Sequence, residues 1–276
     1  MKIIDGKAIA QGLRAELKAK IENSLKKPGL AVVIVGEDPA SKIYVRNKIK
    51  ACEELGVRSY SYELPQNATQ FQVEELLKAL AKDTNVDGIL LQMPLPKHLD
   101  AASAMACIPF EKDVDGFSER NLGLLMLNKE RIVACTPSGV MKILEKEGID
   151  VTGKQAVVLG RSDTVGKPMA MLLLNANATV TICHSKTKDL KEICRSADIL
   201  ISAVGKPKFV TEDMVKEGAV VIDVGMNRDE NGKLCGDVDF ENVKSKTSHI
   251  TPVPGGVGPM TITMLMYNTC LAAFKE

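Results

Sequence analysis

The sequence predicts an α/β fold of two lobes, the second a dinucleotide-binding unit, with the C-terminal helix returning to the first lobe. Three observations carry this. Short apolar runs alternate with helical patterns along the whole chain, the arrangement of βαβ units. The alternation restarts after Thr136-Pro137. A chain of 276 residues suits two lobes or one large α/β unit and is too long for one small domain.

The elements follow in order. From Asp5, the apolar residues Ile9, Leu13, Leu17, Ile21 and Leu25 recur every fourth position, predicting an amphipathic helix that Pro28-Gly29 stops. Residues 30–35 (L-A-V-V-I-V) form a continuous apolar run closed by Gly36, as expected for a strand buried on both faces of a parallel sheet. Next come a helix over 39–55, a strand near 58–62, a helix around 73–81 and a strand over 88–92. In the second lobe, a helix over 137–147 opens on a proline, the residue favoured at a first helical position. Strands are predicted over 155–159, 179–183, 198–202 and 219–224, with helices between them, and the Asn-Gly within 228–233 marks a surface hairpin. The last helix, 260–274, is apolar over most of its surface and must pack on something, which suggests a return to the first lobe. The expected division is residues 1–136 with 260–276, and 137–259, the lobes joining near 130–150 and again near 252–262.

Composition excludes several classes of function. Hydrophobic residues make up 45% and charged residues 26%, the balance of a folded globular chain. Lys plus Arg number 36 against 35 acids, so no overall field exists for gripping nucleic acid or an acidic membrane, and neither partner is expected. The seven cysteines are scattered, odd in number and never spaced C-x-x-C, which indicates a reducing compartment, the cytoplasm, rather than a disulfide framework. With three widely separated histidines, no metal site is expected. No signal peptide or membrane span is expected either.

The sharpest local signal is the turn after the 155–159 strand, G-R-S-D-T-V-G from Gly160. A strand running through a glycine turn into a helix N-terminus presents backbone N–H groups to a diphosphate, the Rossmann-like arrangement. The spacing is G-x-S-x-x-x-G, one residue longer than the usual dinucleotide fingerprint, with Ser162 at the middle glycine. The next strand ends in His184-Ser185-Lys186-Thr187, without the acid that would receive ribose hydroxyls in an NAD site. Hydroxyls and a base, with Arg161 in the preceding turn, suit the 2′-phosphate of NADP instead. The alternative is that Arg161 and Lys186 are solvated surface charges.

In the first lobe, Tyr44 and Lys48 lie four residues apart and share a helix face. If Ile43, Ile49 and Leu55 face the core, Tyr44 and Lys48 look into a cleft, where a shielded lysine serves proton transfer. Gln92 ends its strand directly before Met93-Pro94-Leu95-Pro96, where open α/β sheets place ligands, and the prolines stiffen its loop. The loop K-D-V-D-G-F offers Asp113 and Asp115, either of which could accept paired N–H donors from an amino-substituted heterocycle. Metal binding by the two acids is the competing possibility, though no third ligand is suggested. The segment T-P-V-P-G-G-V-G-P-M-T, 251–261, is a rigid loop feeding a helix and suits a crossover between lobes, a wall of the site, or both.

Together these motifs resemble the bifunctional methylenetetrahydrofolate dehydrogenase/cyclohydrolases of one-carbon metabolism. The likeness runs from end to end: Y-V-R-N-K at 44–48, Q-M-P-L-P at 92–96, D-V-D-G-F at 113–117, C-T-P-S-G at 135–139, G-R-S-D-T-V-G-K-P from Gly160, D-V-G-M-N at 223–227 and P-G-G-V-G-P-M-T from Pro254. Met93 and Met226 stand where Leu and Ile are commoner, both volume-tolerant exchanges. The resemblance implies NADP-linked oxidation of 5,10-methylenetetrahydrofolate to the methenyl form, and its hydrolysis to 10-formyltetrahydrofolate. It implies Lys48 as the proton-transfer residue, Gln92 as its holder, Tyr44 stacking on the folate and Asp115 anchoring the pterin. Pro254, Gly255, Gly256 and Val257 would shape the folate side, and Gly160, Arg161, Ser162, Ser185 and Met226 the NADP side. A homodimer is implied too. The competing expectations are a dehydrogenase without the hydrolytic step and a non-catalytic NADP-binding sensor.

Overall fold

The fold is seen in a computed structural model that describes residues 1–274. The chain opens with β1 (Lys2–Ile3), α1 (Gly6–Glu22), β2 (Gly29–Val35), α2 (Pro39–Leu55), β3 (Arg58–Leu64), α3 (Gln70–Lys82) and β4 (Gly88–Leu91). It continues through α4 (Ala101–Ala106), α5 (Glu119–Met126), α6 (Cys135–Lys146), β5 (Gln155–Leu159), α7 (Gly166–Asn175) and β6 (Thr179–Cys183). The remainder is α8 (Leu190–Arg195), β7 (Ile199–Ser202), β8 (Ala219–Asp223), β9 (Asn227–Arg228), β10 (Leu234–Cys235), α9 (Phe240–Val243), β11 (Thr247–Ile250) and α10 (Val257–Ala273). Two compact units result: Met1–Gln11 with Thr136–Thr261, and Gly12–Cys135 with the chain from Ile262 onward.

The second of these units is built on a parallel sheet in the order β3-β2-β4. All seven residues of β2 are buried. Because side chains alternate across a strand, Leu30, Val32 and Ile34 enter one apolar cluster with Ile21 of α1, Cys52 of α2 and Met264 of α10, while Ala31, Val33 and Val35 enter another with Val73 and Leu77 of α3. The unbroken apolar run is thus the signature of a strand covered on both faces. Within this unit α10 buries Met264, Leu265, Met266 and Cys270, as its apolar surface requires.

The other unit carries a six-stranded sheet, β1-β11-β8-β7-β5-β6, parallel throughout. The sequence assigns residues 1–11 to the first lobe. They group instead with this unit, where Lys2 and Ile3 pair with His249 and Ile250 of β11. β1 has only two residues and β11, T-S-H-I, is mostly polar, so neither registers as an apolar run. Helix α1 also ends earlier than the periodicity predicts: Lys27 caps the Ile21 carbonyl at 2.8 Å, and Leu25 is fully exposed. On α2 the core face is Ser41, Val45, Cys52 and Leu55, whereas Ile43 is exposed, correcting the expected inward set. The hairpin is present as β9 and β10, antiparallel.

Candidate active site

Helix α2 owes its position to its ends. Asp38 accepts the Ser41 N–H at 2.7 Å, Pro39 sits at the start, and Gly56 closes the helix in the left-handed region at φ 78°. With Val45 and Cys52 turned inward, Tyr44 and Lys48 occupy the flank, Tyr44 exposed and Lys48 half-buried. Lys48 Nζ donates to Gln92 Oε1 at 3.0 Å, and Gln92 Nε2 donates to the Met93 carbonyl at 2.6 Å. Gln92 follows β4, whose backbone ladder to β2 extends to the Gln92 N–H on Val33. The glutamine amide therefore has both ends engaged, its oxygen aimed at the lysine.

The two acids of the D-V-D-G-F loop have different fates. Asp113 is buried and saturated: Oδ1 accepts Gly116 N at 3.1 Å, and Oδ2 accepts Ser118 N at 2.7 Å and Asn121 Nδ2 at 3.0 Å. It ties the loop to the start of α5. Asp115, half-buried, accepts no hydrogen bond from the protein among the described residues. Desolvation pushes its carboxyl up to about 6, the Lys48 charge opposes this, and Asp113 adds to it. The structure thus separates the pair that the sequence leaves open. Asn268 of α10 donates to Val114 O at 2.9 Å and Val133 O at 2.8 Å, fixing the backbone directly before Asp115. Cys135 is buried nearby, and desolvation together with the Asp115 charge holds its thiol well above the usual range, so it is no nucleophile. Among the described residues, no group of three or more His, Cys, Asp or Glu could hold a metal ion.

The six-stranded unit carries a pocket of about 300 Å³ at the carboxyl ends of β5, β6 and β7. Gly160, Arg161, Ser162 and Ser185 line it. Gly160 has φ 124°, and a Cβ there would lie 2.4 Å from Ala203 O, so only glycine lets β5 turn into this pocket. Ser162 Oγ accepts the Val165 and Gly166 N–H groups at 3.2 and 3.3 Å, which leaves its hydroxyl proton free to donate at the mouth of α7. The H-S-K-T turn is tied to itself, with His184 N on Thr187 Oγ1 at 2.9 Å and Lys186 N on His184 Nδ1 at 3.1 Å, and Ser185 is exposed. Lys186 is not part of the pocket wall. The lysine that lines it is Lys206, which the sequence does not single out, with Phe209 beside it. Its only signal was its place after a strand end, in S-A-V-G-K-P. Met226 is exposed on the loop after β8 and lies outside this wall. In the 251–261 segment, Gly256 N donates to Pro252 O at 2.9 Å and Lys7 N to Gly255 O at 3.1 Å. A Cβ on Gly6 would fall 1.9 Å from Gly256 O, so this loop is closely packed, with Pro254 exposed and Val257 buried.

A smaller hollow of about 210 Å³ includes Lys216 and Asp198, which are paired at 2.6 Å. It lies near the amino ends of β7 and β8, whereas open parallel sheets take ligands at the carboxyl ends. The larger pocket, with its glycine turn, hydroxyls and guanidinium, fits a dinucleotide.

A parallel sheet with such a turn, in a chain that also sets a lysine against a glutamine and a desolvated carboxylate, defines a dinucleotide-linked α/β enzyme equipped for proton transfer. Comparison with known proteins narrows the class. The catalytic domain of tetrahydrofolate dehydrogenase/cyclohydrolase matches residues 4–115, and the NAD(P)-binding domain of the same family matches residues 134–276. A bifunctional protein FolD from Agathobacter rectalis is 54% identical over 99% of both chains. The crystal structure of the bifunctional FolD of Campylobacter jejuni superposes with a TM-score of 0.97 at 50% identity, covering 100% of this chain and 99% of that one. The Trypanosoma brucei enzyme, solved with NADP cofactor and inhibitor, gives 0.93 at 40% identity, covering 99% and 97%. The chain belongs to the tetrahydrofolate dehydrogenase/cyclohydrolase family. It oxidises 5,10-methylenetetrahydrofolate to the methenyl form with NADP and hydrolyses that product to 10-formyltetrahydrofolate.

Proposed function

We propose that Lys48 moves the proton of the hydrolytic step and that Gln92 and Asp115 serve it and the folate. The observation that carries this is the Lys48–Gln92 hydrogen bond of 3.0 Å beside a carboxylate coupled to the same ammonium. Water adds to the methenyl carbon with loss of one proton, the bond from that carbon to N5 then breaks with N5 taking the electron pair and the remaining hydroxyl proton, and the formyl group stays on N10. The proton lost by the water is carried by Lys48, held by Gln92. Tyr44, one helical turn before Lys48, stacks on the folate. Asp115, with no protein donor on it, accepts paired N–H groups of the pterin.

The dinucleotide supplies the hydride acceptor when bound, and that transfer asks the protein for alignment rather than acid or base. Gly160, Arg161, Ser162 and Ser185 grip its phosphates, Arg161 and Ser185 taking the 2′-phosphate. Met226, exposed on the loop after β8, adds to the dinucleotide side. The test is spectroscopic. Protein, methylenetetrahydrofolate and NADP should yield reduced cofactor and a transient methenyl absorbance. Reduced cofactor with a methenyl species that never decays faster than in buffer would leave only the dehydrogenase.

We further infer a homodimer in the cytoplasm. Seven free cysteines support a reducing compartment. The edge strand β6 exposes Ile182, and α7 exposes Leu174, an apolar edge suited to pairing with a second copy.

A further inference from the structure

Two buried carboxylates in the six-stranded unit take no part in the chemistry above. Asp237, just after β10, is wholly buried. Its Oδ2 accepts Val204 N at 2.7 Å, Gly205 N at 3.2 Å and Ser202 Oγ at 3.2 Å. Its Oδ1 accepts Lys206 N at 3.0 Å and Asn227 Nδ2 at 2.8 Å. Three consecutive backbone amides of the loop after β7 therefore converge on one side chain, together with the residue that follows Met226. Asp237 is itself held by Asp223, at the end of β8, whose Oδ1 accepts Asp237 N at 2.9 Å and whose Oδ2 accepts Val238 N at 2.9 Å. Glycines close the assembly. A Cβ on Gly225 would lie 2.3 Å from Asp237 Oδ1, and one on Gly236 would lie 1.9 Å from Asp223 Oδ2.

The loop that this carboxylate gathers is a wall of the dinucleotide pocket, through Val204 and Lys206. Asp237 touches no part of the pocket and acts through those residues. We propose that Asp237 is a positioning residue for dinucleotide binding, holding the Val204–Gly205–Lys206 backbone and the Met226–Asn227 turn in the arrangement that receives the cofactor. This rests on the assignment of that pocket to NADP. Its chemistry is specific to a carboxylate: every group hydrogen-bonded to the Asp237 side chain is a donor, and an ionised carboxylate only accepts. An amide of the same shape would turn one NH₂ against these donors.

The experiment separates binding from folding, because the cyclohydrolase reaction runs on methenyltetrahydrofolate without a dinucleotide. In Asp237→Asn, the NADP dissociation constant, measured by direct titration, should rise tenfold or more while cyclohydrolase turnover stays within twofold of the parent. Should that variant not fold, Asn227→Ala deletes one donor and spares the carboxylate. It should weaken NADP about threefold with cyclohydrolase unchanged, in keeping with the modest net worth of one hydrogen bond. An NADP dissociation constant within twofold of the parent, in folded Asp237→Asn or, failing that, in Asn227→Ala, overturns the inference. So does a fall of both functions in step, which would mark a purely structural residue. A parent chain that binds no dinucleotide overturns the cofactor assignment itself, and is measured first.

Discussion

Lys48 and Gln92 come from a helix and a strand end 44 residues apart, and they meet through one hydrogen bond, Nζ to Oε1, at 3.0 Å. The glutamine cannot turn its amide around without losing its own bond to Met93 O. The lysine therefore meets a fixed neutral acceptor at this atom. Replacing Lys48 by Met or Arg should lower cyclohydrolase turnover by roughly 10²–10⁴, the usual worth of a positioned proton carrier. Folate binding should change far less. Decay of methenyl absorbance and a folate titration measure the two, and full turnover in folded Lys48→Met would remove the lysine from the mechanism.

Asp115, as the proposed pterin anchor, should make folate binding depend on pH. Burial raises its carboxyl from the ordinary 3.8 to about 6. Below that value it is protonated and cannot accept two N–H groups, so affinity for a folate should strengthen as pH rises from 5 to 7. In Asp115→Asn this dependence should disappear, along with most of the affinity.

The same group sets a stability trend of opposite sense. Its folded pKa lies above its unfolded one, so between about 4 and 6 the folded state binds more protons, and stability falls as pH rises through that window. Asp115→Asn should melt higher than the parent at pH 7.5, with the two converging near pH 4. Thermal melts at the two pH values check it, and an Asn variant that melts lower at pH 7.5 would contradict the desolvation argument.

Arg161 should separate the two dinucleotides. Losing a charge-assisted contact to a phosphate costs about 1.5–3 kcal/mol, so Arg161→Ala should raise the KM for NADP about tenfold or more. The KM for NAD, which lacks that phosphate, should move little. Parallel changes for both cofactors would mean that the guanidinium does not read the 2′-phosphate.

Asn268 should matter to both stability and folate affinity. Removing its amide leaves Val133 O without its donor, at about 1–3 kcal/mol for a buried group left unpaired, and leaves Val114 O only the Cys135 thiol at 3.3 Å. Asn268→Leu should therefore unfold at lower denaturant concentration and bind folate more weakly, because the carbonyl it releases belongs to the residue before Asp115. Unchanged stability would show that water replaces the amide.

Much of this was legible in the residues. The run through β2 signals a doubly covered strand, and Tyr44, Lys48 and Gln92 carry enough pattern to stand out in the sequence. What escaped were relationships set by distant donors. Asp113 and Asp115 look alike on one loop; only Ser118 and Asn121 at the start of α5, a helix too short to show periodicity, commit the first of them to structure. Lys186 follows a strand end directly and drew attention for that reason. Lys206 reaches the pocket from the neighbouring strand, a proximity that no spacing in the chain encodes.

The pairing of Ile3 with Ile250 bears on how the protein is made. A ribosome releases the first strand of the six-stranded sheet long before it synthesises the strand beside it. Contacts so far apart in sequence are slow to form. The edge of that sheet must stay open until nearly all of the chain has emerged, and no single cut in the polypeptide yields an intact half.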